Sequence, residues 1–309
     1  MLGGGTLGEI DDVGEEQMQR TIGVNTWVWT SPVTDLDLVD LVPKIAEMGF
    51  GAIELPVENV GDWDPARTRD LLQQHHLVPV VIGAMGPRRS LIASAGDVGD
   101  TQDYLRACIR TAVAVGSPLV AGPFYAPTGV TWRMDQEQRA DAAAELRRHL
   151  APIAHDAALV GVTIAVEPLN RYETSLMNTV EQALDLLEPL LGSGVGLALD
   201  TYHLNIEEKR PDDAIRAAGS AIAHVQVCGN DRGAVGDDHT DWPKILGALD
   251  DAGYSGILGL ESFTGENATI AVAASVWRPL AASQDQLAQR SLDYLTALQG
   301  QTERTPSHG

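Results

Sequence analysis

The sequence predicts an α/β protein of the (β/α)8 TIM barrel class, and three observations lead to that prediction. From Thr21 onward, short apolar runs alternate about eight times with longer amphipathic segments, as in strand-helix units around a parallel sheet. The short runs are apolar on both sides, which is typical of strands that helices cover. The length of 309 residues accommodates one barrel of roughly 250 residues.

The predicted strands are short runs rich in Val, Ile, Leu and Ala, and amphipathic segments separate them. In chain order they are Ile22–Trp27, Ala52–Leu55, Val78–Ile82, Leu119–Ala121, Val162–Val166, Val195–Leu199, Ala223–Val227 and Ile257–Leu260. Helices are predicted where apolar residues recur at helical spacing. The clearest are Asp135–Leu159, Val180–Leu191, Asp212–Ala221, Trp242–Ala252 and Asp285–Leu298. Asp135 and Asn178-Thr179 are typical of helix starts.

A single barrel domain is expected over residues 21–300, because the two ends of the chain lack apolar periodicity. Residues 1–20 and residues 301–309 are predicted to be mobile tails. The stretch Thr264–Leu280, between the last strand and the last helix, is longer than an ordinary connection. We therefore expect it to be a functional loop or a lid.

Composition and charge argue against several classes of partner. Lys and Arg total 21 against 43 Asp and Glu, a formal net charge of −22, so the chain repels phosphate backbones and no nucleic acid is expected to bind. Cys108 and Cys228 lack the spacing of a metal or disulfide motif, which favours reduced thiols. No signal-like or membrane-spanning segment is visible, so a cytoplasmic location without a membrane partner is expected.

Polar side chains stand at the carboxyl ends of the last four predicted strands, where barrels of this class carry their function. They are Glu167 on the fifth, Asp200 and His203 on the sixth, His224 and Gln226 on the seventh with Arg232 in the loop after it, and Glu261 on the eighth. Carboxylates beside strongly apolar strands need partners, because an unpaired buried charge is costly. One divalent cation would satisfy several of them.

The donors of such a cation would be three carboxylates and one amide oxygen, from Glu167, Asp200, Gln226 and Glu261. A hard oxygen set without imidazole suits Mn²⁺ or Mg²⁺ better than zinc. The alternative is that these acids pair with Arg171, Arg232 or surface lysines. Because polar ligands recur at four consecutive strand ends, the sequence favours a metal site over separate ion pairs.

Glu54, at the second predicted strand, leaves two interpretations open. Its carboxylate could bind a substrate hydroxyl. Alternatively, pairing with Arg88 or Arg89 would make it a structural residue.

Three segments together resemble the sugar phosphate isomerase/epimerase family of xylose isomerase-like barrels, and within it the ketose 3-epimerases of the D-tagatose/D-psicose type. They are Val166–Thr174, Leu199–Glu208 and Asn230–Gly233 with Asp241-Trp242. The resemblance implies that Glu167 and Glu261 bind a metal and also act as acid and base, and that Asp200 is a further ligand. It also implies that three residues hold substrate oxygens: Glu173, His203 and Arg232.

This chain departs from the epimerase pattern at two positions. Where those enzymes have a metal-binding histidine in a His-x-His pattern, the chain has Gln226 after His224, which is similar to the hydroxypyruvate isomerase branch. Gly229 stands where many relatives have Glu.

The resulting expectation is a divalent-metal-dependent enzyme that epimerises C3 of a ketose through an enediolate, with Mn²⁺ favoured and Mg²⁺ or Co²⁺ possible. One rival is aldose–ketose isomerisation of a short substrate such as hydroxypyruvate, which Gln226 suggests. Another is a metal-dependent lyase that acts on a 3-oxo-glycoside, similar to C-glycoside deglycosidase catalytic subunits, and that rival would need a partner subunit. A third rival is a protein that binds sugars but catalyses no reaction. Each of these interpretations also allows a homo-oligomer.

Overall fold

The computed structural model of the protein describes residues 18–92 and 98–301. Its eight strands form a closed barrel, in which each strand pairs in parallel with the next and β8 pairs with β1. The strands are β1 (Ile22–Asn25), β2 (Ala52–Val57), β3 (Val78–Gly83), β4 (Leu119–Gly122), β5 (Thr163–Val166), β6 (Val195–Asp200), β7 (Ile222–Val227) and β8 (Leu258–Leu260). The predicted fold class is confirmed, and every predicted strand overlaps an observed one.

Helices connect the strands on the outside of the barrel. They are α1 (Asp35–Met48), α2 (Pro65–Gln74), α3 (Val98–Val115), α4 (Gln136–Leu159), α5 (Val180–Leu187), α6 (Thr201–Glu207), α7 (Pro211–Ala218), α8 (Trp242–Asp251), α9 (Ala268–Ala273) and α10 (Gln284–Gln301). The predicted helix over Val180–Leu191 is shorter in the structure, because the chain tightens into a 3-10 turn at Glu188–Leu190. Pro189 lacks the backbone N–H that would continue the α-helix.

Local capping explains why two predicted helices begin where they do. The Asp135 side chain accepts from the backbone N–H of Gln138 at 2.9 Å, and the Gln138 side chain accepts from the backbone N–H of Asp135. Thr179 and Gln182 form the same reciprocal pair at the start of α5. Each capping box satisfies backbone donors that the first helical turn leaves unpaired.

The apolar core lies between the sheet and the helical layer. Every residue of β2 and of β6 is buried, as expected for strands that face the barrel interior on one side and helices on the other. From the helical layer, Leu38 and Ile45 of α1 pack into this core and are at most 1% exposed. Burial of apolar area on this scale is the main stabilising contribution to the fold.

The domain begins slightly earlier than the sequence predicts. Arg20, assigned to the N-terminal tail, is buried, and its Nε donates to the carbonyl oxygen of Tyr254 at 2.7 Å. Its backbone N–H donates to Gln299 Oε1 at 2.8 Å, so this residue belongs to the barrel. Helix α10 likewise ends at Gln301, one residue into the predicted C-terminal tail. Residues 1–17 and 302–309 of the predicted tails lie outside the described residues.

The long segment after β8 contains the short helix α9. Asn267 Nδ2 donates to the carbonyl oxygen of Ser31, and Arg278 Nη2 donates to Asp231 Oδ2 at 2.6 Å. These contacts join the segment to the loops that follow β1 and β7. Its role as a lid stays a prediction.

Among the residues that the structure describes, no helix is long and apolar enough to cross a membrane. Cys108 and Cys228 are both free and buried. Burial raises the pKa of the Cys108 thiol to about 12, so this sulfur is held in its unreactive protonated form.

Two leucines of α1 provide a matched test of the core. Leu38 is 1% exposed and Leu36 is 82% exposed, so they differ in burial but not in type or helix. We expect Leu38→Ala to lower the free energy of unfolding by about 2–5 kcal/mol through the cavity it leaves. Leu36→Ala should change it by less than about 0.5 kcal/mol. Urea denaturation measures both, and equal losses would contradict the described packing of α1.

Candidate active site

The structure brings the predicted metal-ligating residues together at the carboxyl end of the barrel. Glu167 directly follows β5, Asp200 is the last residue of β6, Gln226 lies near the end of β7, and Glu261 directly follows β8. All four are at most 6% exposed. Four neighbouring strand ends therefore place three carboxylates and an amide in one buried region.

Arg232 is the cation that contacts this carboxylate group. Its Nη1 donates to Asp200 Oδ2 and, at 2.8 Å, to Glu261 Oε2. Arg232 has a positive φ of 68°, which is uncommon for a residue with a side chain and marks a locally strained turn. The Ser262 hydroxyl donates to the Arg232 carbonyl oxygen at 2.6 Å and so helps to hold this conformation.

His203 faces the same carboxylates from α6. Its Nδ1 accepts from the backbone N–H of Asn170 at 3.0 Å, which assigns the proton of the neutral ring to Nε2. That Nε2 lies 3.5 Å from Glu167 Oε1 and 3.6 Å from Asp200 Oδ2. Burial lowers the pKa of His203 although Asp200 opposes the shift, so the ring is a neutral donor at neutral pH.

The two glutamates have strongly shifted acidities. Burial, reinforced by Glu261 and Asp200, raises the pKa of Glu167 well above its ordinary value. Burial also raises the pKa of Glu261 to about 8, with Arg232 opposing the shift and Asp200 adding to it. Carboxyl groups whose pKa is raised in this way bind a proton more tightly than ordinary carboxylates, which suits them to accept and return protons.

The same residues fit a divalent cation. Oxygen or nitrogen atoms of Glu167, Asp200 and His203 all lie within 4.8 Å of one another, which places His203 beside two of the ligands predicted from sequence. Gln226 Nε2 donates to Glu261 Oε1 and to Glu54 Oε2, each at 2.9 Å. Because both of its N–H groups are used, the carbonyl oxygen of Gln226 is left as a donor for a cation.

Glu173, the third predicted substrate-binding residue, is half-buried in the loop after β5. Its Oε1 accepts from Asn170 Nδ2 at 2.8 Å, so Asn170 orients both this carboxylate and the ring of His203. The aromatic ring of Tyr202 lies under the guanidinium of Arg232, 4.0 Å from its carbon. Neither Asn170 nor Tyr202 was predicted as a site residue, because each acts through another side chain.

The structural interpretation of Glu54 predicts that it pairs with Arg88 or Arg89, and this predicted pairing is wrong. The Arg89 guanidinium instead donates to the carbonyl oxygens of Ala84 and Glu58. Glu54 Oε1 contacts His224 Nε2 at 2.7 Å. Because Glu54 lies in a fully buried strand, its carboxylate needs several hydrogen-bond donors. The sequence does not indicate which strands supply those donors.

Comparisons with known proteins agree with this geometry. The chain matches the xylose isomerase-like TIM barrel family over residues 42–298. A D-psicose 3-epimerase of Enterocloster bolteae is 32% identical over 274 residues, which are 86% of this chain and 90% of that protein. An L-ribulose 3-epimerase structure has a TM-score of 0.84 at 26% identity and covers 94% of this chain and 100% of that chain. A D-allulose 3-epimerase of Methylomonas sp. in complex with D-allulose has a TM-score of 0.81 at 28% identity, with 91% and 97% covered.

The family match runs from within α1 to within α10 and therefore includes every strand end to which a site residue is assigned above. The similar proteins are ketose 3-epimerases, which are enzymes, as the sequence motifs indicated. The chain belongs to the xylose isomerase-like TIM barrel family.

Proposed function

We propose that the chain is a divalent-metal-dependent ketose 3-epimerase that inverts C3 of a ketose through an enediolate. One observation carries the proposal: three buried carboxylates share one region in which, among the residues described, one guanidinium, that of Arg232, bridges two of them. When these three carboxylates are ionised, the one guanidinium does not balance their charge, and a divalent cation would.

The residues that would hold the ion are Glu167, Asp200, Gln226 and Glu261. Oxygen donors favour Mn²⁺, with Mg²⁺ and Co²⁺ as alternatives. When bound, the ion supplies Lewis acidity that polarises the ketone and stabilises the developing enediolate charge. His203 lies beside Glu167 and Asp200, so in this proposal its N–H orients a carboxylate or a substrate oxygen.

Two glutamates carry the proton. Glu167 extends from β5 and Glu261 from β8, with β6 and β7 between them, so their carboxylates would approach a bound ketose from different directions. One removes the C3 proton from its face, and the other delivers a proton to the opposite face, which inverts C3. The raised pKa values of both groups suit this exchange of roles. A placed acid or base typically contributes on the order of 10² to 10⁴ in rate.

Three further residues would orient the sugar. His203 Nε2 and Arg232 Nη2 lie 3.2 Å apart, and because both carry protons they would converge on one substrate oxygen. Glu173 offers a carboxylate that accepts from a hydroxyl. A neutral donor, a cationic donor and an acceptor together match the polyhydroxy chain of a ketose.

The names of similar proteins support epimerisation over its rivals. They include 3-epimerases of D-psicose, L-ribulose and D-allulose. The hydroxypyruvate-type isomerase suggested by Gln226, and the lyase with a partner subunit, gain no comparable support. The presence of both Glu167 and Glu261 in the buried group also favours an enzyme over a protein that only binds sugars.

Metal binding predicts a thermal response. We expect Mn²⁺ at 100 times its Kd to stabilise the metal-stripped protein by about 2.7 kcal/mol, because the ion binds only the folded state. Exhaustive chelation should abolish turnover, and Mn²⁺ should restore it. Differential scanning fluorimetry and an activity assay measure both effects.

The matched control is Asp213→Asn, which removes an acid on α7 outside the site and should leave the Mn²⁺ response unchanged. Asp200→Asn should abolish it. Melting and turnover that are both unaffected by chelation would refute metal dependence.

Solvent labelling predicts where the proton moves. With Mn²⁺ and a ketose in D₂O, we expect deuterium at C3, because the second glutamate delivers a deuteron that it has taken from the solvent. Glu167→Gln and Glu261→Gln should each stop epimerisation, yet each variant should exchange the proton of only one C3 epimer, since each face has its own base. NMR of the recovered sugars measures the label. Label at C1 or C2 alone would indicate an aldose–ketose isomerase instead.

A further inference from the structure

A second polar cluster is joined to the proposed metal ligands through Gln226, and its centre is Glu54. This β2 residue is fully buried, and its carboxylate contacts donors from two other strands. Asn25 Nδ2 and Gln226 Nε2 donate to Oε2, each at 2.9 Å, and His224 Nε2 contacts Oε1 at 2.7 Å. Glu54 therefore connects β1 and β7 through the barrel interior.

The barrel leaves a space for this carboxylate. Gly259 on β8 faces Glu54, and a Cβ at position 259 would overlap Glu54 Oε1. Its φ is outside the left-handed region, so the requirement for glycine is one of space and not of backbone conformation.

The donors around Glu54 are themselves oriented. Asn25 Oδ1 accepts from the backbone N–H of Trp27 at 2.9 Å, which directs the Asn25 amide nitrogen to Glu54. His224 Nδ1 is buried and, among the described residues, has no hydrogen-bond partner. Among the described residues, the polar partner of the buried His224 ring is therefore Glu54, which Nε2 contacts.

The amide of Gln226 has only one favourable orientation in this setting. Its Nε2 lies between Glu54 Oε2 and Glu261 Oε1, at 2.9 Å from each. A rotation of the amide by 180° would place its carbonyl oxygen against two carboxylate oxygens, which repel it. Glu261 is itself a proposed metal ligand and catalytic group, whereas Glu54 is free to serve as a fixed acceptor.

We infer that Glu54 is a positioning residue, which holds the Gln226 amide so that its carbonyl oxygen faces the divalent ion. This inference rests on the proposed function, because it assigns Gln226 to the metal. Groups that orient a metal ligand typically contribute 10- to 100-fold to metal affinity. The glycine at 259 and the donors Asn25 and His224 then keep Glu54 in place.

The test measures Mn²⁺ affinity of the metal-stripped full-length protein by isothermal titration calorimetry. Gly259→Ala should weaken Mn²⁺ binding by about 10- to 100-fold, since it displaces the Glu54 carboxylate without removing its charge. Glu54→Ala should weaken it at least as much. In a Gln226→Ala background, Gly259→Ala should change the affinity by less than about threefold, because the amide that it disturbs is absent.

Gly247→Ala is the matched control, because a Cβ there has nothing within 4 Å, and Mn²⁺ affinity should stay at the wild-type value. Circular dichroism establishes that each variant is folded, and if Glu54→Ala does not fold, the Gly259→Ala cycle decides. Wild-type affinity in Gly259→Ala, or equal losses with and without Gln226, would overturn the positioning role. A wild-type protein that binds no Mn²⁺ would instead refute the proposed function.

Discussion

Closure of the parallel sheet between β1 and β8 is the constraint on which the site depends. Ile22, Gly23 and Val24 pair in register with Leu258, Gly259 and Leu260, and this ladder joins the two ends of the sheet. It allows Glu54 on β2 to reach Gln226 on β7, 172 residues away in sequence. In an open sheet of the same order, four strands would lie between β2 and β7, so the polar interior is a consequence of closure.

The barrel interior concentrates negative charge at a free-energy cost. Burying an ionised carboxylate is costly unless hydrogen bonds or a cation compensate. Glu54 is compensated by three side-chain contacts, whereas Asp200 and Glu261 share Arg232. Glu167 lies 3.5 Å from the ring of His203, and burial, reinforced by Glu261 and Asp200, raises its pKa. In the proposed enzyme, this crowding of buried acids favours a bound cation and makes the glutamates basic enough to act.

Much of this arrangement is predictable from sequence. Each strand is an apolar run, and a parallel barrel places all strand ends at one rim, so the grouping of Glu167, Asp200, Gln226 and Glu261 follows from topology. Contacts across the interior do not follow in the same way. The register that brings His224 to Glu54 depends on barrel stagger, which no local pattern encodes.

Backbone conformation limits prediction in a second way. Arg232 lies on the site because its turn has a positive φ, and local sequence does not reveal that a non-glycine residue adopts it. His203 was predicted only as a substrate group, yet the first turn of α6 places it beside Glu167 and Asp200. Both side chains depend on loops after strands, where sequence periodicity is weakest.

The most direct test of the central claim is a crystal structure with Mn²⁺ and a ketose. We expect one ion at about 2.0–2.6 Å from oxygen atoms of Glu167, Asp200, Gln226 and Glu261, with C3 of the sugar between the two glutamates. An ion held elsewhere in the chain, or C1 or C2 between Glu167 and Glu261, would contradict it.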